Sequence, residues 1–121
     1  MDKISIMKKI NLKDYQKFVK RIAKKFKNRN EEIMTWGLGI TGEAWDVASC
    51  IKKTFAHKND QAMGIRENIG DTFWYMAAIC NFFDWDMEEI IGENMAKLKK
   101  RYPGGFTTKK AKREMVDWGE K

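Results

Sequence analysis

Three observations predict an all-α fold for this chain. Proline occurs once, at Pro103, so nothing before it carries the residue that breaks helices from within. Four long segments place apolar residues at helical spacing, with charge on the opposite side. Two of those segments also carry acidic pairs, Glu43 with Asp46 and Glu67 with Asp71. At i, i+3 and i, i+4 the members of each pair share one face of a helix.

The elements follow in order. Residues 1–10 form a loose lead. A first helix is expected from Leu12 to about Lys27, with Leu12, Tyr15, Phe18, Val19, Ile22 and Phe26 on one stripe. Asn30 is the expected cap of a second helix running to about Thr54, with Glu31 and Glu32 favourable in its first turn. Gly37, Gly39 and Gly42 interrupt its first half. Each glycine costs about 1 kcal/mol relative to alanine, so a kinked start or a close backbone approach is expected, with the regular helix from near Thr41. The polar stretch His57–Gly64 connects to a third helix over about Ile65–Phe83. Asp86 and Glu89 have the spacing of a capping box for a fourth helix from Met87 to Arg101, ended by Pro103-Gly104-Gly105. Beyond it lies a basic tail, with a short helix over about 109–118. A single domain is expected over residues 1–121, its core at 12–106 and its tail at 107–121.

Composition narrows the function classes. The chain has 121 residues, 43% hydrophobic and 34% charged, long enough for a core without disulfide or metal staples. No apolar run approaches the roughly 18 residues of a membrane span. The start, Met1 to Ile6, has no long apolar stretch of the signal-peptide kind. Cys50 and Cys80 sit inside apolar helical stretches, as reduced, buried thiols do. A cytoplasmic location is expected, with no membrane partner. His57, the one histidine, reads as a surface residue. The formal net charge of +7 favours anionic partners, and Lys/Arg cluster in 17–29, 97–101 and 109–113. The first cluster reads as a solvated helix face, and nucleic acid is the least expected partner.

The acidic pairs carry the chemistry. The Glu43–Asp46 stripe continues to Cys50 and Lys53, beside an apolar stripe of Ala44, Val47, Ala48, Ile51 and Phe55 that is expected to face the core. Ionised carboxylates at the edge of a core need compensation. A divalent cation held between two helices supplies it, and so do ion pairs with the many lysines; spacing alone does not choose. Asn94, Lys97 and Arg101 share a face of the fourth helix, with Tyr102 following. Such a set suits a polyphosphate, or is a solvated basic face. Of the five tryptophans, Trp36, Trp45, Trp74 and Trp85 fall in core helices, and Trp118 in the tail. Trp74 is placed to stack on a base or to pack in the core.

Taken together, four segments resemble the phage-type MazG-like proteins of the all-α nucleoside triphosphate pyrophosphatase superfamily. They are Gly37-Leu38-Gly39-Ile40-Thr41-Gly42-Glu43-Ala44-Trp45-Asp46, Ile51-Lys52-Lys53, Glu67-Asn68-Ile69-Gly70-Asp71-Thr72-Phe73-Trp74-Tyr75, and Asn94 to Phe106. The resemblance covers about Leu12 to Phe106. It implies a four- to five-helix bundle, a homodimer or homotetramer, that binds Mg²⁺ (Mn²⁺ as the alternative ion) and hydrolyses a nucleoside triphosphate to monophosphate and pyrophosphate. Glu43 and Asp71 match the first and last positions of the family's metal signature. Asp46 stands where a second Glu is usual, one methylene shorter. Asn68 stands where a third Glu is usual and removes a charge; Glu67, about 100° round the helix, replaces it imperfectly. The resemblance makes Glu43, Asp46 and Asp71 catalytic, those three with Asn68 and Glu67 metal-binding, and Lys53, Trp74, Asn94, Lys97, Arg101 and Tyr102 substrate-binding. The altered signature keeps a second reading open: a weakened relative that sequesters or senses a nucleotide or nucleotide-derived signal.

Overall fold

The computed structural model describes residues 9–111. The described residues form five helices and no strand: α1 Leu12–Ile22, α2 Arg29–Phe55, α3 Ala62–Phe82, α4 Met87–Arg101 and α5 Thr108–Ala111. The all-α expectation holds. The expected lead over 1–8 and the part of the tail helix beyond Ala111, with Trp118, lie outside the described residues.

Local chemistry sets the boundaries. Asn11 caps α1, its side-chain oxygen accepting from the Asp14 amide at 2.8 Å. The helix stops at Ile22, short of the expected Lys27, because Ala23 turns extended. Phe26 then packs edge-on against Trp36, 5.5 Å between ring centres. Asn28 caps α2, not Asn30; its side chain accepts from the Glu31 amide at 2.9 Å. Helix α2 runs unbroken through all three glycines, with no kinked start. Helix α3 begins three residues earlier than expected. The Thr54 hydroxyl accepts from the Gln61 amide at 2.9 Å, and Asp60 accepts from the Ala62 amide at 3.0 Å. Those two bonds satisfy N–H groups that a helix start leaves open.

The chain divides into two compact units, one ending at Met87 and the other beginning at Glu88. In the first, α3 packs along α2 and against α1. Its core is Val19, Trp36, Ala77, Ala78, Cys80 and Met87. Gln16 ties this core to the chain beyond α3. Its amide nitrogen donates to Asn81 Oδ1 at 3.0 Å and to the Trp85 carbonyl at 2.9 Å, and its oxygen accepts from the Met87 amide at 2.9 Å. Asn81 Nδ2 returns a bond to the Gln16 carbonyl at 2.9 Å. In the second unit, the turn after α4 closes with Gly105 N–H donating to the Tyr102 carbonyl at 3.0 Å. Gly105 sits at φ +97°, a conformation that favours glycine.

The apolar stripe expected to face the core does not. Phe55 is 76% exposed, Trp45 71% and Ile51 44%. Helix α2 is apolar on more than one side; α3 packs against the side bearing Trp36 and Gly39 and borders Ala44 and Val47, while Ile51 and Phe55 stay exposed. Trp85 is likewise exposed and stacks on Phe83 at 4.3 Å. Of the four tryptophans expected in the core, only Trp36 is buried, and Trp74 is partly buried.

Candidate functional site

Glu43 lies in the middle of α2, and Asp71 in the middle of α3. Both are partly buried, whereas Asp46 and Glu67 are exposed. Burial first, and then the negative charges of Asp71, Asp46 and Glu67, push the Glu43 carboxyl above its ordinary range. No cation figures among those causes. Asp71, Asp46 and Glu67 therefore lie near enough for their charge to act on Glu43. Glu43 and Asp71 line a cavity of about 370 Å³ with Trp74 and Tyr75.

Asn68 is placed differently. Its side-chain amide donates to Cys50 Sγ at 3.6 Å, across the α2–α3 packing. Sulfur is a weak acceptor, but the contact turns Asn68 towards Cys50. The neighbouring carboxylate that acts on Glu43 belongs to Glu67. The replacement judged imperfect from helical geometry is thus the one whose charge reaches the cluster.

This donor set has the chemistry of a hard-cation site, since a positive charge would relieve the mutual repulsion around Glu43. Among the described residues, no three His, Cys, Asp or Glu side chains are grouped tightly enough to hold one ion. The carboxylates act on one another at electrostatic range.

Two residues that sequence reasoning did not single out, Tyr75 and Tyr15, join the site, together with Gly39. Tyr75 walls the cavity. Gly39 lets it lie there, because a Cβ on Gly39 would fall within 2.6 Å of Tyr75 Cδ1 and closer still to Cε1 and Cζ. This is the close approach expected of the glycine run, realised at one of its three positions. Tyr15 of α1 is partly buried; burial and then the charge of Asp71 push its phenol upwards, so it stays a protonated donor. Its place on the apolar stripe of α1 made it look like core alone. Trp74 packs as a core residue would, edge-on to Trp36 at 5.4 Å and to Tyr75 at 5.3 Å, and it also lines the cavity.

The cationic set divides. Lys53 is exposed near the end of α2. Asn94, Lys97 and Arg101 lie on α4, in the second unit, with Tyr102 just after it. Arg101 sits 5.8 Å from the Tyr102 ring centre, and Tyr102 packs on Phe106 at 5.6 Å.

Comparison with known proteins now bears on these residues. The chain is similar to the gene 37 protein of Mycobacterium phage L5, 27% identical over 73 residues, covering 56% of this chain and 64% of that protein. The match thus spans a little under two thirds of the relative's length. Comparison with solved structures gives no match. Among the described residues, no helix is long and apolar enough to cross a membrane. The family model for the MazG nucleotide pyrophosphohydrolase domain matches residues 31–106, across both acidic helices and on through α4. The match covers more than half of the chain, which therefore belongs to the MazG nucleotide pyrophosphohydrolase family.

Proposed function

We propose that the protein hydrolyses a nucleoside triphosphate, or a related nucleotide, to the monophosphate and pyrophosphate in a magnesium-dependent reaction, with manganese as the alternative ion. The observation that carries this reading is the gathering of Asp46, Glu67 and Asp71 around Glu43 beside a cavity walled by Trp74 and Tyr75. Glu43, Asp46, Glu67 and Asp71 would hold the metal, with Asn68 at the margin of the set. Bound magnesium would neutralise the polyphosphate and make a water molecule more acidic. Glu43, at the centre of the acidic set and on the cavity wall, would take a proton from the attacking water. Water oxygen bonds to phosphorus, the α–β bridging bond breaks, and pyrophosphate leaves. Asp46 and Asp71 orient the reacting groups, and Trp74 and Tyr75 offer ring faces to the base. The phosphate-contacting roles of Lys53, Asn94, Lys97, Arg101 and Tyr102 rest on the sequence motif.

One contact favours the second reading, a slow or silent nucleotide binder. Asn68 is engaged with Cys50, so the site lacks the charge that active relatives place at that position. Loss of metal charge costs turnover more than affinity.

Self-association belongs to the same proposal. Ala44, Val47, Ile69, Thr72, Phe73 and Met76 line an apolar cleft of about 270 Å³ on the α2–α3 face. It is continuous in sequence with the exposed Trp45, Ile51 and Phe55. A self-complementary apolar face is what a two-fold dimer buries, so the working form is a homodimer or homotetramer. Both cysteines are free thiols, in keeping with the cytoplasm as its place of action.

The test is a hydrolysis screen of each (d)NTP with Mg²⁺ or Mn²⁺, reading pyrophosphate release, with thermal-shift binding in parallel. Turnover abolished by chelator, by Asp46→Ala and by Asp71→Ala is expected. Stabilisation by nucleotide without turnover moves the assignment to the sequestering reading. Undiminished turnover in either variant removes the site assignment.

A further inference from the structure

A second cavity, divided from the acidic one by the Trp36, Trp74 and Tyr75 rings, is built from different chemistry. It lies where the end of α1, the connection to α2, the start of α2 and the end of α3 meet, and encloses about 290 Å³. Its floor is aromatic: Phe26, Trp36 and Phe82. Trp36 is 5% exposed and is held by its indole N–H donating to Glu32 at 3.2 Å. That bond engages one of the two acids on the cavity wall, the other being Asp84.

The rim is cationic and partly fixed in place. The Arg29 guanidinium lies over the Phe82 ring at 4.1 Å and donates to the Phe82 carbonyl at 3.4 Å. Lys24 lies over the Phe26 ring at 4.9 Å. Lys25 folds the connection back by donating to the Lys20 carbonyl at 2.7 Å, and Lys20 itself borders the opening. A cation held over a ring has lost part of the freedom that an anion would otherwise have to take from it. Four cations face two acids around an apolar floor.

We propose that this cavity is a binding site for a small aromatic anion, a flat ring carrying one phosphate group, separate from the acidic site. The ring lies against Phe26 and Phe82, with the buried Trp36 behind them, and the phosphate stays at the rim with Lys20, Lys24 and Arg29. The volume, near the lower end of the roughly 300–1,000 Å³ of ligand pockets, holds a ring and leaves a phosphate at the opening. Trp36 and Glu43 are seven residues apart on α2, about 10 Å along its axis, and the two cavities share no lining residue. The proposal therefore stands whether or not the acidic site turns over a nucleotide.

The experiment is calorimetric titration of the full chain with dAMP, and separately with inorganic phosphate, at fixed salt with EDTA present. Three double variants accompany the wild type. Lys20→Gln/Lys24→Gln removes rim charge. Lys13→Gln/Lys17→Gln removes the same charge from the neighbouring face of α1. Asp46→Asn/Asp71→Asn alters the acidic site. All but Asp71 among these six are exposed. Expected are dAMP binding at or below about 1 mM, weakened about tenfold by the rim variant alone, and phosphate about tenfold weaker than dAMP. The titrations overturn the proposal if they give no dAMP binding, equal loss in both lysine variants, phosphate binding as tightly as dAMP, or loss confined to the acidic-site variant. A single-stranded oligonucleotide that outcompetes dAMP and depends on Lys13 and Lys17 would overturn it in favour of a nucleic-acid surface.

Discussion

Replacing Gly39 by alanine separates two effects that the glycine run of α2 superimposes. Alanine in a helix interior gains about 1 kcal/mol over glycine wherever there is room. At Gly37 and Gly42 a Cβ meets nothing within 4 Å, so Gly37→Ala and Gly42→Ala should each stabilise by about that amount. At Gly39 the Cβ would fall within 2.6 Å of Tyr75 Cδ1, against the roughly 3.5–4.0 Å of an ordinary carbon contact. Cε1 and Cζ come closer still, so the ring must retreat by about 1.5–2 Å, and it is wedged between Trp74 at 5.3 Å and Trp36 at 6.2 Å. Overpacking of this kind costs about 1–3 kcal/mol. The helical gain is common to all three variants and cancels. The gap between Gly39→Ala and its two neighbours is therefore the overpacking cost, about 1–3 kcal/mol, or roughly 4–15 °C in Tm for a chain of this size. Urea unfolding at one protein concentration measures it, with the concentration fixed because association would shift the midpoint. Three variants with the same midpoint would refute the reasoning, because the ring would then be moving aside without cost. Since Tyr75 also walls the Glu43–Asp71 cavity, Gly39→Ala should lower turnover as well, and its neighbours should not.

Further outcomes follow from the same contacts. Gln16→Ala removes three side-chain hydrogen bonds and should cost about 2–3 kcal/mol at roughly 1 kcal/mol per bond, read by urea unfolding. Glu43→Gln should raise Tm at neutral pH by about 1–2 °C while abolishing turnover. Its folded carboxyl pKa is raised, so its contribution to stability is present below its unfolded pKa and lost as pH rises through the folded one. The Tm difference should therefore vanish below about pH 4; a gap that persists there would show another origin. Asn68→Glu should raise turnover in the pyrophosphate assay if the missing charge limits it. No gain would indicate that Glu67 already fills that part, and Glu67→Gln should then cost more turnover than it does in the Asn68→Glu background. Phe73→Glu, on the exposed apolar cleft, should reduce the mass measured by light scattering to that of one chain.

The long helices and the acidic pairs were legible because both are properties of one segment. Periodicity reports that a helix has an apolar face, and fixed spacing reports that two carboxylates share one. Neither reports what lies opposite. The stripe through Ala44, Val47, Ile51 and Phe55 has the pattern of a core face, yet all of it but the partly buried Val47 is exposed in a single chain, because the pattern is the same whether a helix of this chain or of another covers it. Gln16 read as one more polar residue on a basic helix, and its bonds reach Asn81, Trp85 and Met87, contacts that no local pattern encodes. Asn28 and Asn30 are equally good caps by residue type. The choice fell to Asn28 because the chain leaves α1 early, at Ala23, to bring Phe26 against Trp36. Tyr15 was hidden by its own neighbours, a phenol in a row of hydrocarbons.

On the proposed site, the charge missing at position 68 is supplied by its neighbour. Family spacing asks for a carboxylate at position 68, and this chain has an amide there. An amide in that place would be costly to bury unbonded, and Cys50, one helical step along the stripe from Asp46, takes its N–H. Gly64 packs beside the same sulfur, with a Cβ there coming within 3.1 Å of Cys50 Sγ, so the sulfur is confined and the amide has a defined partner. The charge reappears one residue earlier, at Glu67, on the exposed side of α3, where its carboxylate still reaches Glu43 through space. An exposed carboxylate is better solvated and less tightly positioned than a partly buried one, so it should contribute more to attracting a cation than to fixing its geometry. That difference predicts a characteristic signature for this chain. The magnesium concentration for half-maximal activity should remain within about tenfold of the Asn68→Glu variant, while maximal turnover should differ by more than that. Equal turnover with a large change in magnesium requirement would reverse the roles assigned to the two positions.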